Sequence, residues 1–135
     1  IKLANKLNNA CTSTDNNRTL GIYIQMKTSE EESKSGISEQ EGIELISHIL
    51  GKCSSLYVVG LMTIGASNDP TCFDTLCTMR TNIIQYFNEN PGHASGQTAF
   101  PNGLKVSMGM SGDFEVAIGK GSDVVRVGSS IFGAR

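Results

Sequence analysis

Residues 56–64 read LYVVGLMTI, and no other run in the chain restricts the possible folds as much. Nearly every position is apolar, not every second one, so an extended segment here must be covered on both faces. A parallel strand buried between other layers meets that demand, and a solvent-facing hairpin strand does not. The segments on either side alternate in kind. Residues 1–8 carry Ile1, Leu3, Ala4 and Leu7 and read as helix, 11–19 as polar loop, and 20–26 (LGIYIQM) as a strand rich in β-branched and aromatic residues. After a charged loop at 28–36, Ser38 and Glu41 form an S-x-x-E capping box that opens a helix striped by Ile43, Ile46, Ile49 and Leu50. Asp69 before Pro70 is an N-cap followed by proline at the first helical position. The helix runs to about residue 88 with Phe73, Leu76, Cys77, Ile83, Ile84 and Phe87 on one side. A Gly/Pro/Ser loop at 90–102 leads to a strand at 104–108. Next comes a short helix, with Ser111 as cap, Phe114, Ala117 and Ile118 as apolar residues, and Gly119 and Gly121 at its end. Residues 124–127 form the last strand, and Ser129 begins a further turn or helix.

Strands separated by helices imply an α/β fold with a parallel sheet. A closed (β/α)8 TIM-type barrel takes about 250 residues. The 135 residues here supply about four strands, roughly half of such a barrel, and four parallel strands cannot close, so an edge stays unpaired. The chain is 39% hydrophobic and 18% charged with a net charge of −2. That balance suits one globular domain and argues against broad nucleic-acid binding. No apolar run approaches the roughly 18 residues of a membrane span. The first ten residues, IKLANKLNNA, resemble a helix entered partway and not a leader. Cys11, Cys53, Cys72 and Cys77 show no C-x-x-C spacing and only two histidines exist. A zinc site is therefore not expected, and the thiols read as reduced residues of a cytoplasmic protein.

The chemistry concentrates near the C-terminal end. Two short apolar strands each run into a small-residue turn, Gly109-Met110-Ser111 and Gly128-Ser129-Ser130. Backbone N–H groups at such turns attract anions, and small residues let a phosphate approach. Paired turns after the last two strands of a β/α chain are a recurrent phosphate site, although the same residues also serve turns and caps alone. Arg126 alternates with Val125 and Val127, so it faces away from them. If the valines pack under helices, Arg126 points inward and requires an acceptor. Two kinds remain open: an internal carboxylate, Asp113 or Asp123, or a ligand's phosphate oxygen or aromatic nitrogen. Other candidates are weaker. Glu30, Glu31, Glu32 and Lys34 read as a solvated loop at a strand end, with gating as the sharper alternative. His48 reads as solvated, and neither it nor His93 stands near a nucleophile system. Met62, Met108 and Met110 read as packing.

Several runs occur in order with the spacing of a known family. They are Leu61-Met62-Thr63-Ile64-Gly65, Ser107-Met108-Gly109-Met110-Ser111 with Asp113-Phe114, Ala117-Ile118 and Gly121-Ser122, Val125-Arg126-Val127-Gly128, and Ile131-Phe132-Gly133. Together with Thr28-Ser29, Glu31, Glu32, Ser33, Lys34 and Gly36 they closely resemble the pyridoxal phosphate homeostasis proteins. The resemblance implies a single-domain barrel like the N-terminal domain of alanine racemase, of which residues 1–135 would be the C-terminal part, holding strands five to eight. It implies pyridoxal 5′-phosphate bound as a Schiff base, and a protein that buffers and carries the cofactor without established turnover. By position, Ser111 would bind the phosphate through its hydroxyl. Gly128 and Ser129 would offer backbone N–H groups, with the Ser129 hydroxyl as a further donor. Arg126 would face the pyridine nitrogen, and Ser107 would contribute from its strand.

The family's early His-Phe-Ile-Gly-type motif is absent, its frequent Asn after the fifth strand is replaced near Lys27, and two further departures bear on the cofactor. The family's Schiff-base lysine lies on the first barrel strand, and none of Lys2, Lys6, Lys27, Lys34, Lys52, Lys105 or Lys120 matches it. A missing N-terminal half is expected to carry it. Asp123 stands where the family has Thr, and is expected to add negative charge near the phosphate. Two other functions remain open on the residues alone: a barrel enzyme acting on a phosphorylated substrate or flavin at the same turns, and a non-catalytic interaction fragment.

Overall fold

The computed structural model describes residues 1–13, 18–29, 35–65, 69–94, 99–100 and 102–133. The charged run at Glu30, Glu31, Glu32 and Lys34, with the gating expected of it, lies outside the described residues. In chain order the elements are α1 (Lys2–Thr12), β1 (Leu20–Gln25), α2 (Glu39–Lys52), β2 (Leu56–Met62), α3 (Thr71–Glu89), a 3-10 turn (Pro91–Ala94), β3 (Lys105–Met110), α4 (Phe114–Gly119), β4 (Val124–Arg126) and α5 (Ser129–Phe132). The four strands form one sheet in the order β1-β2-β3-β4, and every neighbouring pair is parallel.

Sequential parallel order has a consequence for burial. Right-handed crossovers between successive neighbours place every connecting helix on the same face. Beneath the helices lie Ile24, Leu61, Val106 and Met108, packed with Ile46, Ile49, Phe73, Leu76, Ile83 and Phe87 into one core. Each such side chain, fully buried, contributes roughly 1.5–3 kcal/mol of transfer free energy. Among the described residues no helix covers the opposite face. There Gly21, Tyr57 and Gly60 share a side with Tyr23, and Tyr57 is 55% exposed. The double coverage expected for residues 56–64 is thus found on one face only, because no doubly wound connection crosses to the other.

Local signals account for most element ends. Ser38 and Glu41 form the expected reciprocal capping box at α2. Asp69 acts one residue earlier than expected: the cap position is Pro70, and the Asp69 carboxylate accepts the Thr71 N–H at 3.0 Å. At the end of α4, Gly121 adopts φ +88°. There Gly121 N–H donates to Ile118 O and Ser122 N–H to Ala117 O, both at 3.0 Å, which is a Schellman closure. α1 runs to Thr12, beyond the expected residue 8, and is tied down by Asn5, whose Oδ1 lies 2.6 Å from His48 Nε2. His48 is therefore engaged with α1 and not merely solvated. Asn8 supports the same helix by accepting the Ser55 N–H at 2.9 Å. Between β2 and β3 the backbones approach so closely that a Cβ on Gly60 would lie 2.1 Å from the Lys105 carbonyl oxygen.

Candidate functional site

The C-terminal ends of the strands do not finish alike. The β2–β3 ladder pairs Gly60, Leu61 and Met62 with Lys105, Val106 and Ser107. Beyond that point Thr63 N–H still donates to Ser107 O at 3.2 Å. Gly109 then turns through φ +91°, and the β3–β4 register shifts between Ser107 and Met110. The bulge interrupts the regular β3–β4 pairing between those residues. Arg126 bridges the strand ends there. Its Nη2 donates to Thr63 O at 2.8 Å, and its Nη1 donates to Ser107 O at 3.1 Å and Ser107 Oγ at 2.8 Å. Those bonds use three of the five guanidinium N–H donors. The Nε–H and one Nη2 hydrogen have no partner among the described residues.

Arg126 is half-buried, and desolvation holds its guanidinium below the ordinary value, with the nearby charge of Asp113 acting in the opposite direction. Neither carboxylate considered from the sequence bonds to it. Asp113 Oδ1 accepts the Met110 N–H at 2.6 Å. Asp123 Oδ2 accepts the Val106 N–H at 2.7 Å. Asp123 therefore precedes β4 at the far end of β3 from Ser111. Its expected place beside the phosphate turns is corrected: the turn out of α4 carries it to the strand's start, where it satisfies a backbone donor.

The second cluster joins β3 to β4. Ser111 Oγ accepts the Gly128 N–H at 3.0 Å and the Ser130 N–H at 3.3 Å. Ser111 was expected to cap the helix that follows it, but α4 begins at Phe114 with Asp113 in the cap position. The strand continues through Met110, so the turn falls later than Gly109, and Ser111 is left free to reach across to the start of α5. With its oxygen accepting two N–H groups, its hydroxyl proton is available to donate outward. Ser129 is exposed, and its N–H and hydroxyl have no partner among the described residues.

Ser107, Ser111, Arg126, Gly128 and Ser129 thus gather at one end of the sheet, the first four through direct hydrogen bonds. Sequence reading missed Thr63 and Thr28. Thr63 is buried, its Oγ1 lies 2.7 Å from Thr28 Oγ1, and the same oxygen accepts the Gly65 N–H at 3.1 Å. The available signal was a hydroxyl residue ending an otherwise apolar strand, since a buried hydroxyl implies a fixed partner.

The family described as the alanine racemase N-terminal domain matches residues 1–135. This chain belongs to that family. Within it, the resemblance read from the motifs holds. The chain is 39% identical to the pyridoxal phosphate homeostasis protein of Bos taurus, covering 100% of this chain and 48% of that protein. It is 37% identical to the protein of the same name from Homo sapiens, with the same coverage. It therefore spans about half the length of these curated relatives. Among solved structures, an unknown protein from Bifidobacterium adolescentis superposes with a TM-score of 0.74 at 35% identity, over 97% of this chain and 49% of that one. PipY of Synechococcus elongatus with PLP bound superposes at 0.73 over 98% of this chain and 57% of its own, and at 21% identity it shows the shared alanine racemase-like fold alone.

Proposed function

We propose that this chain is the phosphate- and ring-binding part of a pyridoxal 5′-phosphate carrier acting in homeostasis of that cofactor. In this reading residues 1–135 are the C-terminal half of one alanine racemase-like (β/α)8 barrel domain of a cytoplasmic protein, and the N-terminal half carries the lysine. Support comes from the names of the relatives, from the PLP in the PipY structure and from the donor set at the strand ends. The observation that carries it is the Ser111 clasp on Gly128 and Ser130, beside an arginine with two unused donors.

The donors fit the group. A phosphate offers many acceptors and no obligatory donor at neutral pH. Ser111 presents a hydroxyl proton, and Ser129 an unengaged N–H and hydroxyl. The Gly128 N–H, expected on the phosphate, is taken by Ser111 Oγ, and Gly128 instead leaves open space where a Cβ would stand, with no atom within 4 Å. When bound, the cofactor supplies an electrophilic aldehyde and an electron-withdrawing ring. Arg126 donates to the ring nitrogen and, as a fixed cation, disfavours its protonation. A ring held unprotonated is a weaker electron sink, which suits carriage over turnover.

The test is titration of the full-length protein with pyridoxal 5′-phosphate, followed by absorbance, with inorganic phosphate as competitor. Ser111→Ala removes one donor to a charged group and is expected to weaken binding about ten- to a hundredfold, as such a bond contributes roughly 1.5–3 kcal/mol. Absence of phosphate-competable binding to the wild-type protein would overturn the reading.

A further inference from the structure

We propose that Thr63 is the positioning residue for Arg126, an inference that rests on the reading of Arg126 as the partner of the ring nitrogen. Past Met62 the β2 strand ends, and among the described residues one backbone bond, Thr63 N–H to Ser107 O, still holds it to β3. The Thr63 side chain supplies the rest of the anchorage. Its hydroxyl oxygen lies 2.7 Å from Thr28 Oγ1 and accepts the Gly65 N–H at 3.1 Å. The backbone is thereby fixed on both sides of the Thr63 carbonyl, and that carbonyl receives Arg126 Nη2 at 2.8 Å.

The chain of contacts runs from the end of β1 through β2 to β4, while Ser107 grips the other guanidinium nitrogen from β3. Thr63 touches no ligand in this arrangement. It sets the plane of the guanidinium and hence the direction of the two donors left over. Ser107, expected to contact the cofactor itself, has its hydroxyl engaged by Arg126 and shares this positioning task.

The experiment compares full-length wild type with Thr63→Val, which is nearly isosteric and lacks the hydroxyl, and with Thr63→Ser, which restores it. Nitrogen-15 spectra without ligand report the Arg126 guanidinium. Separate, slowly exchanging Nη resonances are expected in wild type and Thr63→Ser, and faster exchange with broadened resonances in Thr63→Val, where Ser107 still holds Nη1. Thr63→Val is also expected to weaken pyridoxal 5′-phosphate by about three- to tenfold, the net worth of one hydrogen bond, and to leave inorganic phosphate affinity unchanged. A folded Thr63→Val protein with wild-type Arg126 resonances and an unchanged ratio of the two affinities would refute the proposal. If Thr63→Val does not fold, Thr28→Val removes only the partner hydroxyl, and the same two readouts decide. Wild-type protein that binds neither ligand would sink the proposed function while the spectra still judge the positioning.

Discussion

Gly109 shows how a single residue builds the site. Its φ of +91° lies where L side chains are rarely found, and a Cβ there would stand 2.5 Å from the Ala117 Cβ. Left-handed strain of about 1–2 kcal/mol and overpacking of about 1–3 kcal/mol therefore act together. Gly109→Ala is expected to destabilise the fold by about 2–5 kcal/mol, read as a lower urea midpoint at unchanged slope. Straightening β3 would also shift Ser107, which holds Arg126 Nη1. The sequence identified Gly109 as a turn residue because glycine and serine adjoin there, and it gave no sign that the strand continues through a bulge. That distinction depends on Ala117, which is eight positions away in the chain and packed directly beneath.

At the scale of elements, α2 was legible because its cap is local. Ser38 N–H donates to Glu41 Oε2 at 2.8 Å, and Glu41 N–H donates to Ser38 Oγ at 3.3 Å. The Ser38 backbone bond, then its hydroxyl, holds the Glu41 carboxyl below its ordinary value. A depressed folded value means the contribution is present above the unfolded carboxyl value and is lost as pH falls through the folded one. Glu41→Gln is expected to be less stable than wild type near neutrality, and the gap should close on acidification. Thermal melting from pH 7 to about pH 3 spans the titration of an ordinary carboxyl. Strand order and the cross-strand Ser111 clasp were not legible in the same way. Ser111 and Gly128 lie 17 positions apart, and a cap that serves a distant helix leaves no spacing rule in the chain. Their place after the last two strands of a β/α chain, and the family resemblance, connected the two turns, but neither carried the geometry.

For the whole molecule, the sheet ends in two edge strands, β1 and β4, and its helix-free face presents Tyr57. Ile131 and Phe132 are exposed at 67% and 86%. Unpaired edges and apolar patches drive association. Residues 1–135 expressed alone are expected to associate with rising concentration in sedimentation velocity, and Tyr57→Lys should reduce it. A polypeptide that also carries the proposed N-terminal half should not respond to Tyr57→Lys in this way, because its own strands would cover that face. The Arg126 seat has another consequence at this scale. Three strands meet at the guanidinium through Thr63, Ser107 and β4 itself, so one rung of the sheet is a side chain. Any ligand that engages the remaining donors of Arg126 restrains that rung, and by linkage its binding free energy opposes fraying of the strand ends. Occupancy of the site and local stability of the sheet are thus a single equilibrium, observable as slower hydrogen exchange at the Thr63 amide.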